Sequence, residues 1–87
     1  MQQEVFHVGA RAGMHARPAA LLVKTAARFQ SRVTLSLGEK RADARSLLML
    51  MGLGAKQGMD LVVEADGPDE EAALAAIRQL FAENFGE

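Results

Sequence analysis

Cysteine, tryptophan and tyrosine are all missing from this 87-residue chain, and proline occurs only twice. Without cysteine there is no disulfide framework, no thiolate nucleophile and no cysteine-held metal. Without tryptophan or tyrosine, and with four phenylalanines, the chain lacks the aromatic platform on which nucleobases stack. Excess charge of either sign is absent too. Ten basic and eleven acidic side chains leave a formal net charge of −1, so no global field draws the chain to nucleic acid or to an anionic membrane. The apolar runs 19–23 and 47–51 hold five residues each and none exceeds the six of 72–77, far short of the ~18 that a membrane span requires. The start, MQQEVFHV, has no basic segment leading into an apolar one, as a secretory leader would. The expectation is a cytoplasmic monomer with no nucleic-acid partner and no membrane insertion.

What is present reads as one globular domain spanning residues 1–87. Nearly half of the side chains are apolar and about a quarter are charged, enough to drive collapse and argue against disorder. Period-two patterning predicts strands at 4–8, at 32–37, where Val33, Leu35 and Leu37 alternate with Thr34 and Ser36, and at 60–66, where Leu61, Val63 and Ala65 share a face. Gly38 marks a tight turn that folds 41–43 back as a short edge strand. Ala19, Leu22, Val23, Ala26 and Phe29 recur at helical spacing and predict a helix over 16–29. Pro68 with Asp69, Glu70 and Glu71 opens a second long helix whose inner stripe is Leu74, Ile77, Leu80, Phe81 and Phe85. A short helix is predicted at 46–51, with Ser46 as its N-cap and Gly52 or Gly54 ending it. The order is βαββαβα, an open sandwich of helices on a sheet. Pattern alone leaves the order of the strands in that sheet open.

One short stretch stands out chemically: GMHARPAA, residues 13–20. Pro18 is tolerated only in the first turn of a helix, which places His15 at or next to the N-cap. There the backbone N–H groups of Ala16 and Arg17 face outward at the positive end of the helix dipole, a ready site for an anion such as a phosphoryl group. Arg17 adds a planar, permanently charged fork suited to phosphate oxygens. The plainer alternative is that His15 merely caps a helix and Arg17 is solvated. His7, inside a strand with no arginine or helix end beside it, reads as a surface or partly packed histidine.

GMHARP resembles the active-site signature of the histidine-containing phosphocarrier (HPr) family of the bacterial phosphoenolpyruvate-dependent sugar phosphotransferase system, at Gly13, His15, Arg17 and Pro18. The stretch ARSLLMLMGLGAKQG resembles that family's second signature, in which Ser46 matches a serine phosphorylated in some lineages by a dedicated kinase. The resemblance runs along the whole chain. It implies an α+β fold, an antiparallel four-stranded sheet covered on one face by three helices. It also implies a phosphocarrier rather than an enzyme with turnover of its own. His15 would accept a phosphoryl group on Nδ1 from phosphorylated enzyme I and pass it to a sugar-specific enzyme IIA, with no metal or cofactor. The second signature here departs from many relatives in being more apolar and in having Gly52 where a small hydroxyl residue is common. The segment GPDEEAALAAIRQLF is similar to the nitrogen-related paralogue of HPr.

Two surfaces complete the expectation. Leu47, Leu48, Met49, Leu50 and Met51 are consecutive, yet a helix lying on a sheet buries one stripe only. Leu47, Leu48 and Met51 are therefore expected to face solvent as an adaptable contact patch. Arg17, Leu21, Lys24 and Arg28 fall opposite the core stripe of the first helix, and Arg45 directly precedes the short one, forming a basic rim for an acidic partner. Two other readings compete: a small module binding nucleic acid or a metabolite, and a regulatory or nitrogen-branch protein acting by docking under control of Ser46 phosphorylation.

Overall fold

A computed structural model describes residues 1–86. The strands are β1 (Gln2–His7), β2 (Arg32–Leu37), β3 (Lys40–Asp43) and β4 (Asp60–Asp66), and the helices are α1 (Ala16–Ala26), α2 (Leu47–Gly52) and α3 (Glu70–Ala82), with a closing 3₁₀ turn at Asn84–Gly86. All pairings are antiparallel, and the sheet order is β1-β4-β2-β3. The last long strand thus enters between the first two, with Val63 opposite both Glu4 and Leu35.

Alternation in the strands sets the buried face. Phe6, Val33, Leu35, Ala42, Leu61, Val63 and Ala65 are buried and meet Ala19, Leu22 and Ala26 from α1, Leu50 from α2, and Ala73, Leu74 and Ile77 from α3. Phe6 stacks on Phe81 with ring centroids 4.8 Å apart, and Phe85 meets Phe81 edge-on at 4.9 Å. Phe6 and Phe85 are buried and Phe81 is half-buried against them, so the three rings close this end of the core. The expected open-faced α+β sandwich, one four-stranded antiparallel sheet with three helices, is the fold observed.

Several boundaries differ from the sequence expectation, each for a local reason. The first helix stops at Ala26 rather than Phe29, because Arg28 and Phe29 donate to the carbonyls three residues back and tighten the last turn. Val8 lies outside β1, although it stays buried and its N–H donates to the Met59 carbonyl at 2.9 Å. The hairpin strand β3 begins one residue early, at Lys40, opposite Leu37 across a two-residue turn containing Gly38. Ser46 caps α2 as expected, accepting from the Met49 N–H at 3.2 Å. Gly52 remains helical, and the left-handed Gly54 (φ 70°) follows the cap at Leu53. Phe85 is buried but is not on α3: it sits in the 3₁₀ turn with φ 54°, next to Asn84 with φ 51°.

The start of α3 is held from outside. Asp69 precedes the helix, yet its carboxylate accepts from the N–H groups of Gln30 and Ser31, both at 2.9 Å, and from the buried Ser31 hydroxyl. The Ser31 hydroxyl oxygen in turn accepts from the Asp69 N–H. This knot ties the segment after α1 to the segment before α3 and lowers the Asp69 pKa, chiefly through the Ser31 hydroxyl and then the Gln30 N–H.

Candidate functional site at the start of α1

His15 is the N-cap of α1, in extended conformation (φ −92°, ψ −171°). Its carbonyl accepts the first helical bond, from the Ala19 N–H at 3.1 Å. Pro18 sits buried in the first turn, where it has no N–H to lose. The donors left at the helix start are therefore those of Ala16 and Arg17. The Arg17 N–H points to Nδ1 of His15 at 3.5 Å. A nitrogen that accepts from a backbone N–H carries the lone pair and leaves the ring proton to Nε2. Nε2 is buried. That contact leaves the ring lone pair on Nδ1, at the end of the helix where an anion is welcome.

The preceding loop holds His15 in place. Gly13 adopts φ 69°, and a Cβ on it would lie 2.3 Å from the Ala55 carbonyl oxygen and 2.9 Å from the Lys56 Cα. That approach lets the Met14 N–H donate to the same carbonyl at 2.9 Å, while the buried Met14 side chain anchors the loop in the core. Gln57 donates to the Gly9 carbonyl and Gly58 to the Val8 carbonyl. The segment following α2 is therefore fastened to the loop that carries His15.

Arg17 is exposed at the mouth of this site, with its Nη2 beside Gly86. The Asn84 side chain lies against Gly9, where a Cβ would meet Oδ1 at 2.9 Å. The closing turn thus flanks both the loop and Arg17, a neighbour that the sequence reading missed. The left-handed turn formers in the segment ENFG were the available signal. Two surface recesses of about 490 and 480 Å³ lie elsewhere, lined respectively by residues such as Arg32, Arg45 and Asp66 and by Gln2 and Asp69–Ala72. His15 lines neither of these two recesses.

Around the site, Leu48 is 83% exposed and Leu47 and Met51 are each 42% exposed, as expected. Met49 is exposed as well, at 47%, leaving Leu50 as the residue of α2 that enters the core. A helix of six residues has room for little more than one inward position. Lys24 is exposed on α1. Leu21 departs from the expectation: it is half-buried and packs against the core. Arg28 lies past the end of α1 and covers the Phe29 ring, 5.5 Å from its centroid. Arg45 donates from Nη2 to the Phe29 carbonyl at 2.5 Å, so it belongs to the far end of α1, beside Ser46. An 11-residue helix is about 16 Å long, and the basic rim is accordingly spread along α1 rather than gathered at His15. His7, by contrast, pairs with Asp60 on the exposed side of the sheet, Nδ1 to Oδ1 at 3.0 Å. No helix among the described residues is long and apolar enough to cross a membrane.

Residues 2–83 match the family described as PTS HPr component phosphorylation site. The chain is 47% identical over 77 residues to the phosphocarrier protein HPr of Treponema pallidum (strain Nichols), covering 88% of each chain. It superposes on the crystal structure of HPr from Thermoanaerobacter tengcongensis with a TM-score of 0.95 and 38% identity, over 100% of this chain and 98% of that one. A crystal structure of Bacillus subtilis Crh, a dimer with a swapped domain, gives a TM-score of 0.77 at 37% identity over 97% of both chains.

Proposed function

The chain belongs to the HPr family of the bacterial phosphotransferase system, and from that premise we propose that it is a phosphocarrier whose single domain takes a phosphoryl group on His15 from enzyme I and gives it to an enzyme IIA. The observation that carries this reading is the Nδ1 of His15, held as an acceptor at the N-terminus of α1. In the forward step the Nδ1 lone pair bonds to phosphorus as the bond from phosphorus to the enzyme I side chain breaks, its electron pair leaving with that side chain. In the second step the enzyme IIA nucleophile takes phosphorus and the pair returns to Nδ1. No water, metal or redox partner enters the balance. The N–H groups of Ala16 and Arg17 and the Arg17 guanidinium stabilise the charge on the equatorial oxygens, an electrostatic role that needs positioned donors rather than new bonds.

Partner docking falls to the exposed α2 residues Leu47, Leu48 and Met51 with Leu21, Lys24, Arg28 and Arg45 around them. The carrier works in the cytoplasm as a monomer, without turnover of its own. Incubation with phosphoenolpyruvate and enzyme I should give one acid-labile, alkali-stable adduct, kept in His7→Ala and lost in His15→Ala. Phosphorylation of His15→Ala at the wild-type level would overturn the assignment. Sedimentation at working concentration should show one protomer; a stable dimer, as in the Crh structure, would refute the monomer.

A regulatory reading is favoured by one specific observation: Ser46 stands at the N-cap of α2, beside the exposed patch. A serine kinase acting there would add charge to the docking face without entering the core. The nitrogen-branch paralogue is distinguished by which enzyme IIA accepts the phosphoryl group.

A further inference from the structure

Every sulfur in this chain is a thioether: there are five methionines and no cysteine. A peroxide that reaches the protein therefore meets no thiolate, and methionine is its two-electron sulfur target. The five are placed very unequally. Met14 is buried, at 6% exposure, and anchors the loop before His15, whereas Met49 and Met51 are 47% and 42% exposed on α2 beside Leu47 and Leu48. Met59, before β4, is 39% exposed and Met1, at the chain start, 73%, and neither belongs to α2. We propose that Met49 and Met51 are modification sites for a hydroperoxide, and that their sulfoxides weaken docking at α2 while leaving the fold and His15 intact. The effect on docking rests on the phosphocarrier reading above; the site assignment does not.

The chemistry balances simply. A sulfur lone pair attacks one oxygen of hydrogen peroxide, the S–O bond forms as the O–O bond breaks, and the proton on the transferred oxygen passes to the departing hydroxide, leaving sulfoxide and water. Sulfur is oxidised by two electrons and the peroxide is reduced. A dithiol-dependent methionine sulfoxide reductase reverses the step, with the oxygen leaving as water and the two thiols closing to a disulfide. The consequence is physical. A flexible apolar side chain becomes a polar one with a strong acceptor oxygen, and pressing that oxygen into an apolar partner surface without a donor is costly. The fold is spared because Leu50, not Met49 or Met51, connects α2 to the core. The methionine that matters most to the His15 loop is the shielded one.

The test treats the full chain with hydrogen peroxide, quenches it, maps sulfoxides by peptide mass spectrometry, and measures melting and phosphoryl transfer from phosphorylated enzyme I. Met49 and Met51 should oxidise roughly seven to eight times faster than Met14, the ratio of their exposures. The melting midpoint should hold, the apparent KM for enzyme I should rise on the order of tenfold with kcat kept, and sulfoxide reductase should restore it. In Met49→Leu/Met51→Leu the KM measured before and after peroxide should be the same, although Met1, Met14 and Met59 remain. Oxidation of Met14 as fast as Met49 and Met51 overturns the site assignment. An equal KM rise in the double variant, or none in the wild type, overturns the effect on docking. If the untreated chain accepts no phosphoryl group at all, the phosphocarrier reading fails and the docking effect with it, while the mapping still decides the modification sites.

Discussion

Replacing Gly13 by alanine puts the loop before His15 under a load with three separable parts. At φ 69° an alanine pays about 1 kcal/mol or more for the left-handed region. The added Cβ would stand 2.3 Å from the Ala55 carbonyl oxygen and 2.9 Å from the Lys56 Cα, both backbone atoms that cannot swing away as a side-chain end could. Relieving that overlap parts the loop from the Ala55 segment and breaks the Met14 N–H bond to Ala55, at a cost of about 1–3 kcal/mol for a buried donor. Alanine recovers about 0.4–1 kcal/mol by restricting the unfolded chain. The net loss is about 2–3 kcal/mol, which in a domain of this size lowers the melting midpoint by roughly 8–24 °C. Two other glycines separate the contributions. Gly38 has a similar φ of 60° with nothing within 4 Å, so Gly38→Ala bears strain alone and should lose less than about 1.5 kcal/mol. Gly52 is helical with open space around it, so Gly52→Ala should gain about 0.5–1 kcal/mol. Urea titration followed by circular dichroism reads all three. Should Gly13→Ala lose no more than Gly38→Ala, the close approach to Ala55 is not what makes glycine necessary there.

Three further outcomes are expected. Asp69, held below its ordinary value of 3.8 chiefly by the Ser31 hydroxyl, and Glu70, held below 4.5 chiefly by the Gly67 N–H, contribute stability that is present above those ordinary values and lost as pH falls through the depressed ones; Ser31→Ala should be less stable near neutrality and show a shallower acid decline in urea midpoint against pH, and an unchanged slope would refute the link. Ser46→Asp keeps an N-cap acceptor and should fold as the wild type does, yet slow phosphorylation of His15 at low salt with a smaller deficit at high salt, so a salt-independent deficit would exclude charge repulsion with an acidic partner. On α2, Leu50→Ala should cost about 2–5 kcal/mol in denaturation because Leu50 is fully buried. Leu48→Ala, at an 83% exposed position, should change stability by less than about 0.5 kcal/mol while weakening transfer; equal stabilities of the two variants would mean the inner face of α2 is misassigned.

Much of the site was legible in short stretches because the constraints there are local. Pro18 lacks an N–H and fits only a first turn, so residues 15–18 alone place His15 at a helix start. Ser46 ahead of an apolar run likewise specifies its own cap, and the alternation of Leu61, Val63 and Ala65 assigns the inner face of β4. Hydrogen bonds and periodicities that reach three or four residues leave their signature within those residues. Tertiary structure decided the rest. The insertion of β4 between β1 and β2 follows from antiparallel pairing over separations of dozens of residues, for which period-two patterning carries no address. The carboxylate of Asp69 serves Gln30 and Ser31, nearly 40 positions away, because folding brings that turn within 2.9 Å. Arg45 leaves the surroundings of His15 for the Phe29 carbonyl, which lies in the turn beyond the end of α1 and reaches Arg45 only in the folded chain. Gly13 reads from sequence as a loop glycine; that it must be one depends on the Ala55 carbonyl, which only the packed chain delivers to its Cα.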